Sequence, residues 1–460
     1  MFNVSVKIVL QFLLIVFITI VVNVLDIGLV ASMWYVALLI MYQRSKNEAF
    51  WLAFFVVTTD GFMGFLGTYS TLLNIIPGMP GIELAQFYIL LSLYKISRNR
   101  VKTIPFYKNW TILLFAYSLL LMVVGLANGL DGEINVYFKI AKMILPLALF
   151  YSVPRLLSTI DDYASLFNFL FLVFLFAFAA QIFTVFSGLS PAAKFKPVAV
   201  DEMELGKNLR SYYNVAVTLV SLCGALFFLA IKDQKYFSKI YLNTIVIFCF
   251  GMAFLSATRG WIIGFGLIIL IFNIFINKLE LKNLFFIAII LVAVFTIALS
   301  FEKINKQLMF SLERSLSLEA LAKGDNSADG TLVRLERGPP VMEAWADNPI
   351  FGWGFSNVYF EKYDVHVGNQ TLLLHSGIIG MGLLYSFMLS VSSRLLRLKR
   401  NANIINPYKK AGMVIPVFIL GWFLVHSTSV QQFAFFGMPA NIFPQAIVLA
   451  LANFVITYKT

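Results

Sequence analysis

One arginine lies in a stretch that is otherwise uncharged. Residues 253–272, AFLSATRGWIIGFGLIILIF, carry a single charged side chain, Arg259. An arginine at the centre of a membrane helix costs about 2.5 to 3.5 kcal/mol on insertion scales, so such residues usually face a cavity or a partner. A guanidinium presents a rigid set of N–H donors that fits phosphate oxygens. Arg259 is therefore a candidate anion-binding residue; the alternative is that it only reaches the lipid headgroups.

Five further cations lie at the ends of predicted spans or in the longest connection. Arg210 begins a span in GKNLRSYYN, and Lys139 and Lys142 lie in NVYFKIAKMILP without a carboxylate in the same helix. Arg334 and Arg337 belong to the longest connection. The topology derived below places all of them on the outer face of the membrane, where positive charge is normally sparse. Together they indicate an anionic ligand, for which a lipid-linked diphosphate is a candidate.

His366 lies near the end of the same connection, in EKYDVHVGNQTLLLHSGIIGMG. A neutral imidazole is the usual general base near neutral pH. His366 is therefore the candidate base, and the alternative is a loop histidine that only caps or hydrogen-bonds. His375 and His426 fall at or inside predicted helices, so we expect both to be structural.

Sequence motifs for metal-dependent or nucleotide-dependent chemistry are absent. The chain has no Walker lysine loop, no H-E-x-x-H and no G-x-S-x-G nucleophile elbow. The acidic run DEME (201–204) could bind a divalent cation, but we expect it to be a solvated loop. We therefore expect neither a metal ion nor a cofactor.

The composition is that of a membrane protein. The 460 residues are 60% hydrophobic and 13% charged, about half the charged fraction of a soluble domain. Apolar runs long enough to cross a bilayer recur along the whole chain. These features predict an all-α polytopic membrane protein with about 12–14 transmembrane helices. The candidate spans are 7–24, 27–42, 50–68, 80–95, 109–128, 135–153, 163–188, 211–231, 239–257, 260–277, 283–301, 370–393, 411–428 and 437–456.

Lysine and arginine concentrate in alternate connections, of which RLLRLKRNANIINPYKK (394–410) is the strongest. By the positive-inside rule these connections and both termini face the cytoplasm. The net charge of +12 is then a topology signal, and no nucleic-acid partner is expected. The chain divides into a transmembrane bundle (1–301), a large loop on the outer side of the membrane (302–369) and C-terminal helices (370–460).

The large loop is expected to contain short helices that carry active-site residues. Its segment SLEALAKGDNSADGTLVRLERGPPVMEAWADNPIFGWG has a helical periodicity. We expect GPP (338–340) to break this helix and DNP (347–349) to end it, because proline lacks an N–H donor.

An ordered set of motifs spans residues 205–390. Arg334, Trp345 and NPIFGWG (348–354) are followed by His366, and GIIG (377–380) begins eleven residues after that histidine. SATRGW and NLRSYYN precede them. This order resembles the signature region of the bacterial O-antigen ligase and O-antigen polymerase superfamily.

Two features depart from the family pattern. The family often has Asn directly after the His, whereas this chain has Val367 there and Asn369 two places later. GPP also interrupts a loop helix that is usually continuous. The choice between Arg334 and Arg337 as the active-site arginine therefore stays open.

The resemblance implies an inverting, metal-independent glycosyltransferase in the bacterial inner membrane, with its active site facing the periplasm. Its donor would be a glycan linked to polyprenyl (undecaprenyl) diphosphate. The resemblance further implies that His366 takes the proton of the acceptor hydroxyl. The diphosphate would be bound by Arg259, Arg210 and either Arg334 or Arg337, with Lys139 and Lys142 as secondary contacts.

The acceptor separates the alternatives within this family. An O-antigen ligase transfers the glycan to lipid A–core, whereas a polymerase extends another lipid-linked glycan. The well-placed His366 favours the ligase. A protein O-oligosaccharyltransferase is a third possibility. From another class, a transporter of polyprenyl-linked glycans could also place arginines around an anion, but broken helices and repeated halves are not evident in the sequence.

Overall fold

Helices dominate the computed structural model. The residues that it describes are 5–25, 28–59, 71–74, 80–99, 103–187, 189–190, 196–197, 215–231, 235–278, 296, 300–309, 311–312, 329–364, 366–401, 406–428, 431–437 and 439–458. Two pairs of two-residue antiparallel strands accompany the helices in these ranges: β1 (Leu72–Leu73) with β2 (Ile82–Glu83), and β3 (Leu189–Ser190) with β4 (Lys196–Pro197).

The helices follow one another with short connections over most of the described chain. The first eight are α1 (Val6–Leu25), α2 (Gly28–Arg44), α3 (Glu48–Thr59), α4 (Leu84–Arg98), α5 (Lys108–Ala127), α6 (Ile134–Ile144), α7 (Leu149–Leu156) and α8 (Ile160–Ser187). The others are α9 (Val215–Ala230), α10 (Lys239–Leu255), α11 (Arg259–Ile271), α12 (Asp329–Ala346), α13 (Asn357–Lys362), α14 (Gly368–Arg400), α15 (Val414–Thr428) and α16 (Pro439–Thr457). A 3₁₀ turn (Leu145–Ala148) joins α6 to α7, and a π turn (Phe272–Ile276) extends α11.

The predicted fold class is confirmed: the protein is an all-α polytopic membrane protein. Six helical segments in the described ranges are long and apolar enough to cross a membrane, namely α1, α5, α6 with α7, α8, α14 and α16. Five shorter apolar helices accompany them: α3, α9, α10, α11 and α15. The count of 12–14 spans stays a prediction, and the expected span 283–301 lies almost wholly outside the described residues.

The burial of the helices separates the interior of the bundle from its lipid-facing surface. Residues 49–59 of α3 are all buried, as expected for a helix that is apolar on every side and surrounded by others. In contrast, α1 exposes Leu10, Leu14 and Phe17. Such an apolar face on the surface of a membrane protein is the face that contacts lipid tails.

Small residues bring α11 and α15 into close antiparallel contact. A Cβ added at Gly264 would lie 2.7 Å from the Val425 side chain, and one added at Gly421 would lie 3.0 Å from the Gly264 carbonyl oxygen and collide with Ile268. Glycine at such positions lets two membrane helices approach backbone to backbone. This contact fixes where α11 begins relative to where α15 ends.

The expected break at GPP is wrong, because α12 runs without interruption through Gly338, Pro339 and Pro340. Both prolines are exposed, so water can bond the carbonyl groups that lose an N–H partner within the helix. The expected end at DNP is confirmed, since α12 ends at Ala346. In the described part of the large loop, α12 is thus longer than expected at 18 residues, whereas the six-residue α13 is a short helix of the expected kind.

Candidate functional site

The signature motif NPIFGWG inserts its backbone into a break in α14. The break is at Gly377, whose φ of 62° and ψ of −173° are non-helical. Beyond the break, the Ile378 N–H donates to the Pro349 carbonyl at 3.0 Å. Before it, the Leu374 carbonyl accepts from the Trp353 N–H at 2.8 Å. The turn at 348–354 therefore satisfies backbone groups that an unbroken helix would bond internally.

Glycine is required where this turn meets the bundle. Gly352, Gly354 and Gly377 all have positive φ, and a Cβ at Gly352 would lie 2.6 Å from the Gly377 nitrogen. A Cβ at Gly354 would collide with the Leu121 carbonyl oxygen of α5. Only glycine combines this backbone conformation with so close an approach. The motif thus locks the turn against α14 and α5.

His375 packs inside an aromatic cage next to the break. Its ring centroid lies 4.7 Å from that of Phe355, 4.7 Å from Tyr359 and 4.6 Å from Phe436. The side chain is fully buried, and neither ring nitrogen has a hydrogen-bond partner among the described residues. Burial raises the pKa of the Tyr359 hydroxyl well above its usual range, so this wall of the cage stays neutral. These contacts support the structural role expected for His375.

Asp364 links the loop arginine to the candidate base. The His366 backbone N–H donates to Asp364 Oδ1 at 2.8 Å, while Asp364 Oδ2 lies 3.4 Å from Arg337 Nη1. The Thr371 hydroxyl bonds both the carbonyl oxygen and the N–H group of Asp364, at 2.6 and 3.2 Å. His366 itself is half-buried. Sequence reasoning missed Asp364, although an acidic residue two places before a histidine can form such a turn.

One of the two loop arginines, Arg337, has an ionic partner in the structure. Arg337 is 39% exposed and is engaged by the Asp364 carboxylate. Arg334 lies three residues earlier on the same helix, α12, and its side chain is outside the described part of the structure. Residues three apart share a helix face. The two positions therefore lie on one face of α12.

Arg259 is the first residue of α11, directly after the end of α10. Ala257 in the turn has a φ of 51°, and the hydroxyl groups of Ser256 and Thr258 lie 2.6 Å apart. From the large loop, Gln307 donates to the Leu255 carbonyl at 2.8 Å. The loop thus caps the end of α10 beside the arginine. The side chain of Arg259 lies outside the described residues.

The contacts of α15 bring the arginine and histidine regions to one end of the bundle. Gly368, at the start of α14, lies so close to the end of α15 that a Cβ there would be 2.9 Å from His426 Nδ1. One residue earlier, α15 contacts α11 through Val425 and Gly264. Arg259 precedes Gly264 by five residues, about 7.5 Å along a helix axis. We call this end of the bundle, where α11 and α14 begin and α15 ends, the site end.

The two lysines differ in their surroundings. Lys142 donates to the Gly81 carbonyl and interacts electrostatically with the buried carboxyl group of Glu83. This partner comes from another element and was not foreseen from the sequence. Lys139 is exposed. The expected site residue Arg210 lies outside the described residues.

An open cleft of about 320 Å³ lies between the end of α5 and the signature turn. Its lining is mostly apolar and includes the amide side chains of Asn128 and Asn348. Of the predicted diphosphate-binding residues, the three whose side chains the structure describes, Arg337, Lys139 and Lys142, do not line it. The cleft therefore suits a lipid tail or the apolar face of a sugar better than a diphosphate.

Within the described ranges, no three His, Cys, Asp or Glu side chains are grouped so that they could hold a metal ion. The acidic run at 201–204 falls outside those ranges.

The fold and the site end together define a polytopic helical membrane protein with a loop arginine, a histidine and a glycine-locked turn beside the start of a long helix. Residues 244–383 match the family model described as O-antigen ligase. This match supports the O-antigen ligase and polymerase superfamily, as the resemblance predicted. At the level of the family, this match implies a membrane glycosyltransferase. None of the curated proteins matches the chain.

Proposed function

We propose that the protein is an inverting, metal-independent glycosyltransferase that moves a glycan from undecaprenyl diphosphate to an acceptor. It would act at the periplasmic face of the bacterial inner membrane, as an O-antigen ligase with lipid A–core as acceptor. One observation carries the proposal: the matched region contains Arg259, Arg334 and His366, and the packing of α15 brings the elements of Arg259 and His366 to the same end.

In the proposed reaction, the acceptor hydroxyl oxygen attacks the anomeric carbon of the donor sugar from the face opposite the diphosphate. The bond to the leaving oxygen breaks, its electron pair passes to the diphosphate, and the configuration inverts. Negative charge grows on the leaving group as the bond breaks, so preorganised cations stabilise the transition state more than the ground state. Guanidinium groups can supply this stabilisation without Mg²⁺.

Arg259 and Arg210 are proposed to bind the diphosphate from the bundle, with Lys139 and Lys142 as secondary contacts. For the loop, the ion pair of Arg337 with Asp364 favours Arg334 as the arginine that reaches the diphosphate. Arg337 would instead position the turn that carries His366, because Asp364 bonds both partners. His366 would accept the proton that the acceptor hydroxyl loses.

The break in α14 does not favour a transporter. Discontinuous helices in transporters expose unpaired backbone groups to a substrate or ion. Here the carbonyl groups of Leu374 and His375 accept the N–H groups of Trp353 and Gly354 instead. The break is occupied by the protein's own turn, which supports an enzyme scaffold. The family description, O-antigen ligase, favours lipid A–core over a second lipid-linked glycan as acceptor.

The test is an assay of the purified protein with an undecaprenyl-diphosphate-linked glycan in the presence of EDTA. We expect transfer to lipid A–core. If only the lipid-linked glycan is lengthened, the protein is a polymerase. Loss of transfer in EDTA that Mg²⁺ or Mn²⁺ restores would disprove metal independence and direct attention to residues 201–204.

A further inference from the structure

The last turn of α15 holds a histidine whose two ring nitrogens have different surroundings. His426 is fully buried, and its Nδ1 accepts the backbone N–H groups of Gln432 at 2.9 Å and Phe433 at 3.2 Å. In a neutral imidazole with an accepting Nδ1, the proton is on Nε2. Nε2 is buried and has no partner among the described residues. His426 therefore presents an unused N–H donor inside the protein.

Two more hydrogen-bonding groups near His426 are unused. Ser427 Oγ and Gln431 Nε2 are also buried without a partner in the described part of the chain. In contrast, Gln432, which follows Gln431, is hydrogen-bonded. Its side-chain Oε1 accepts from Trp422 Nε1 at 2.8 Å, and its backbone carbonyl oxygen accepts from Gln445 Nε2 at 2.9 Å. Buried polar groups in folded proteins are nearly always bonded. Three unpaired groups within six residues therefore indicate a ligand.

The unpaired groups lie beside a chain segment that is held firmly. In the segment 431–437, the Gly437 N–H donates to the Met143 carbonyl at 2.9 Å, and the Phe435 carbonyl accepts from the Ser118 hydroxyl at 3.0 Å. Phe436 forms one wall of the cage around His375. The segment is thus anchored to α5, α6 and α14, so the amide of Gln431, its first residue, is preorganised for binding.

The position of His426 indicates which part of the substrate these groups would meet. Gly368, which contacts His426, is two residues after the proposed base His366. Tyr385 bonds the Asn369 side chain, and its ring centroid lies 6.5 Å from that of His426. The unpaired groups are neutral, so they suit hydroxyl and ether oxygens rather than a diphosphate.

We propose that His426, Ser427 and Gln431 form a subsite that binds the acceptor sugar next to the hydroxyl that attacks. His426 Nε2–H and the Gln431 amide donate to the sugar oxygens, and the Ser427 hydroxyl donates or accepts. The subsite lies outside the region that matches the family model. This inference rests on the proposed glycosyl transfer, because the bound sugar is taken to belong to the acceptor of that reaction.

Two variants, His426→Asn and Gln431→Met, test the subsite, and Gln432→Met is the control. In His426→Asn, the shorter amide oxygen can still accept the N–H groups of Gln432 and Phe433, but the Nε2 donor is lost. Gln431→Met removes the other donor at nearly constant volume. We expect each to raise the acceptor KM about three- to tenfold, the value of one neutral hydrogen bond, without changing the donor KM. The control Gln432→Met removes a bonded amide and should lower the Tm instead.

Binding of a free acceptor oligosaccharide, followed by the tryptophan fluorescence of the purified protein, makes the test independent of transfer. Wild type and His366→Ala should bind it, and His426→Asn and Gln431→Met should bind it three- to tenfold more weakly, as expected for one lost neutral hydrogen bond. If the wild type binds the oligosaccharide but transfers nothing, the proposed function fails and the subsite stands. Unchanged binding and an unchanged acceptor KM in both variants would overturn the subsite, as would equal losses of Tm in Gln431→Met and Gln432→Met.

Discussion

At the scale of single residues, the guanidinium of Arg259 can be distinguished from a simple positive charge. If it binds diphosphate through two N–H groups, Arg259→Lys should lose transfer nearly as fully as Arg259→Ala, by about a hundredfold or more. If it only reaches the headgroups, lysine should replace it well. The transfer rates of the two purified variants distinguish these two roles of Arg259, provided that the yield and Tm of both variants stay near wild type. An active lysine variant would refute the diphosphate role.

His366 and His375 provide a matched pair of histidines on the same stretch of chain. His366→Ala should reduce transfer by about 10² to 10⁴-fold, the usual contribution of a general base, with donor binding nearly intact. His375→Phe should keep most of the transfer, because a phenyl ring can pack against Phe355, Tyr359 and Phe436 and leaves no ring nitrogen unbonded. Single-turnover assays with bound donor measure the rate of transfer in both variants. Equal losses in the two variants would mean that packing, not proton transfer, is being measured.

The two loop arginines should respond differently to substitution. Arg334→Met should reduce transfer by at least about a hundredfold if that side chain reaches the diphosphate. Arg337→Met removes only a partly exposed pair with Asp364, so the loss should be about fivefold or less. Asp364→Asn keeps the bond from the His366 N–H and should resemble Arg337→Met. The reverse ranking of the arginines would exchange their roles.

At the scale of elements, the glycines of the signature turn act through the backbone. Gly354→Ala should lower the free energy of unfolding by at least about 2 kcal/mol, because the alanine would be held at the positive φ of this position and its Cβ would collide with the Leu121 carbonyl oxygen. Gly382→Ala, on an open part of α14, should raise it by about 0.5 to 1 kcal/mol. Thermal unfolding in detergent measures both. A Gly354→Ala protein as stable as Gly382→Ala would contradict the proposed locking of the turn.

The elements show what sequence reasoning can and cannot reach. Hydropathy predicts the apolar helices that the structure describes. The same reasoning failed at GPP, because the cost of proline in a helix depends on whether water can reach the carbonyl groups it leaves unbonded. It also could not show that Gly354 contacts α5, because that contact joins residues more than 200 positions apart.

At the scale of the whole molecule, the site end exists because α11 packs against α15, which follows much later in the chain, and α15 packs in turn against the start of α14. The order of the spans does not predict that α15 lies between α11 and α14, so the sequence alone left His426 as an ordinary helix residue. Arg259 and His366 both lie in the region that matches the family model, but only the contacts of Val425 and Gly368 show how their elements meet. Helix-to-helix contacts depend on shape, which hydropathy does not record.

The same packing gives a prediction about the assembly of the site. Gly421→Ala should push α11 away from α15, since its Cβ would collide with Ile268 and lie 3.0 Å from the Gly264 carbonyl oxygen. Arg259 would then shift relative to His366, and a misplacement of about 1 Å can cost about a hundredfold in rate. The control Gly266→Ala lies on α11 with its nearest neighbour, Phe250, at 3.6 Å, an ordinary contact. We therefore expect kcat to fall strongly in Gly421→Ala and to stay near wild type in Gly266→Ala, measured where both remain folded. Equal kcat values would show that the contact between α11 and α15 does not set the geometry of the site.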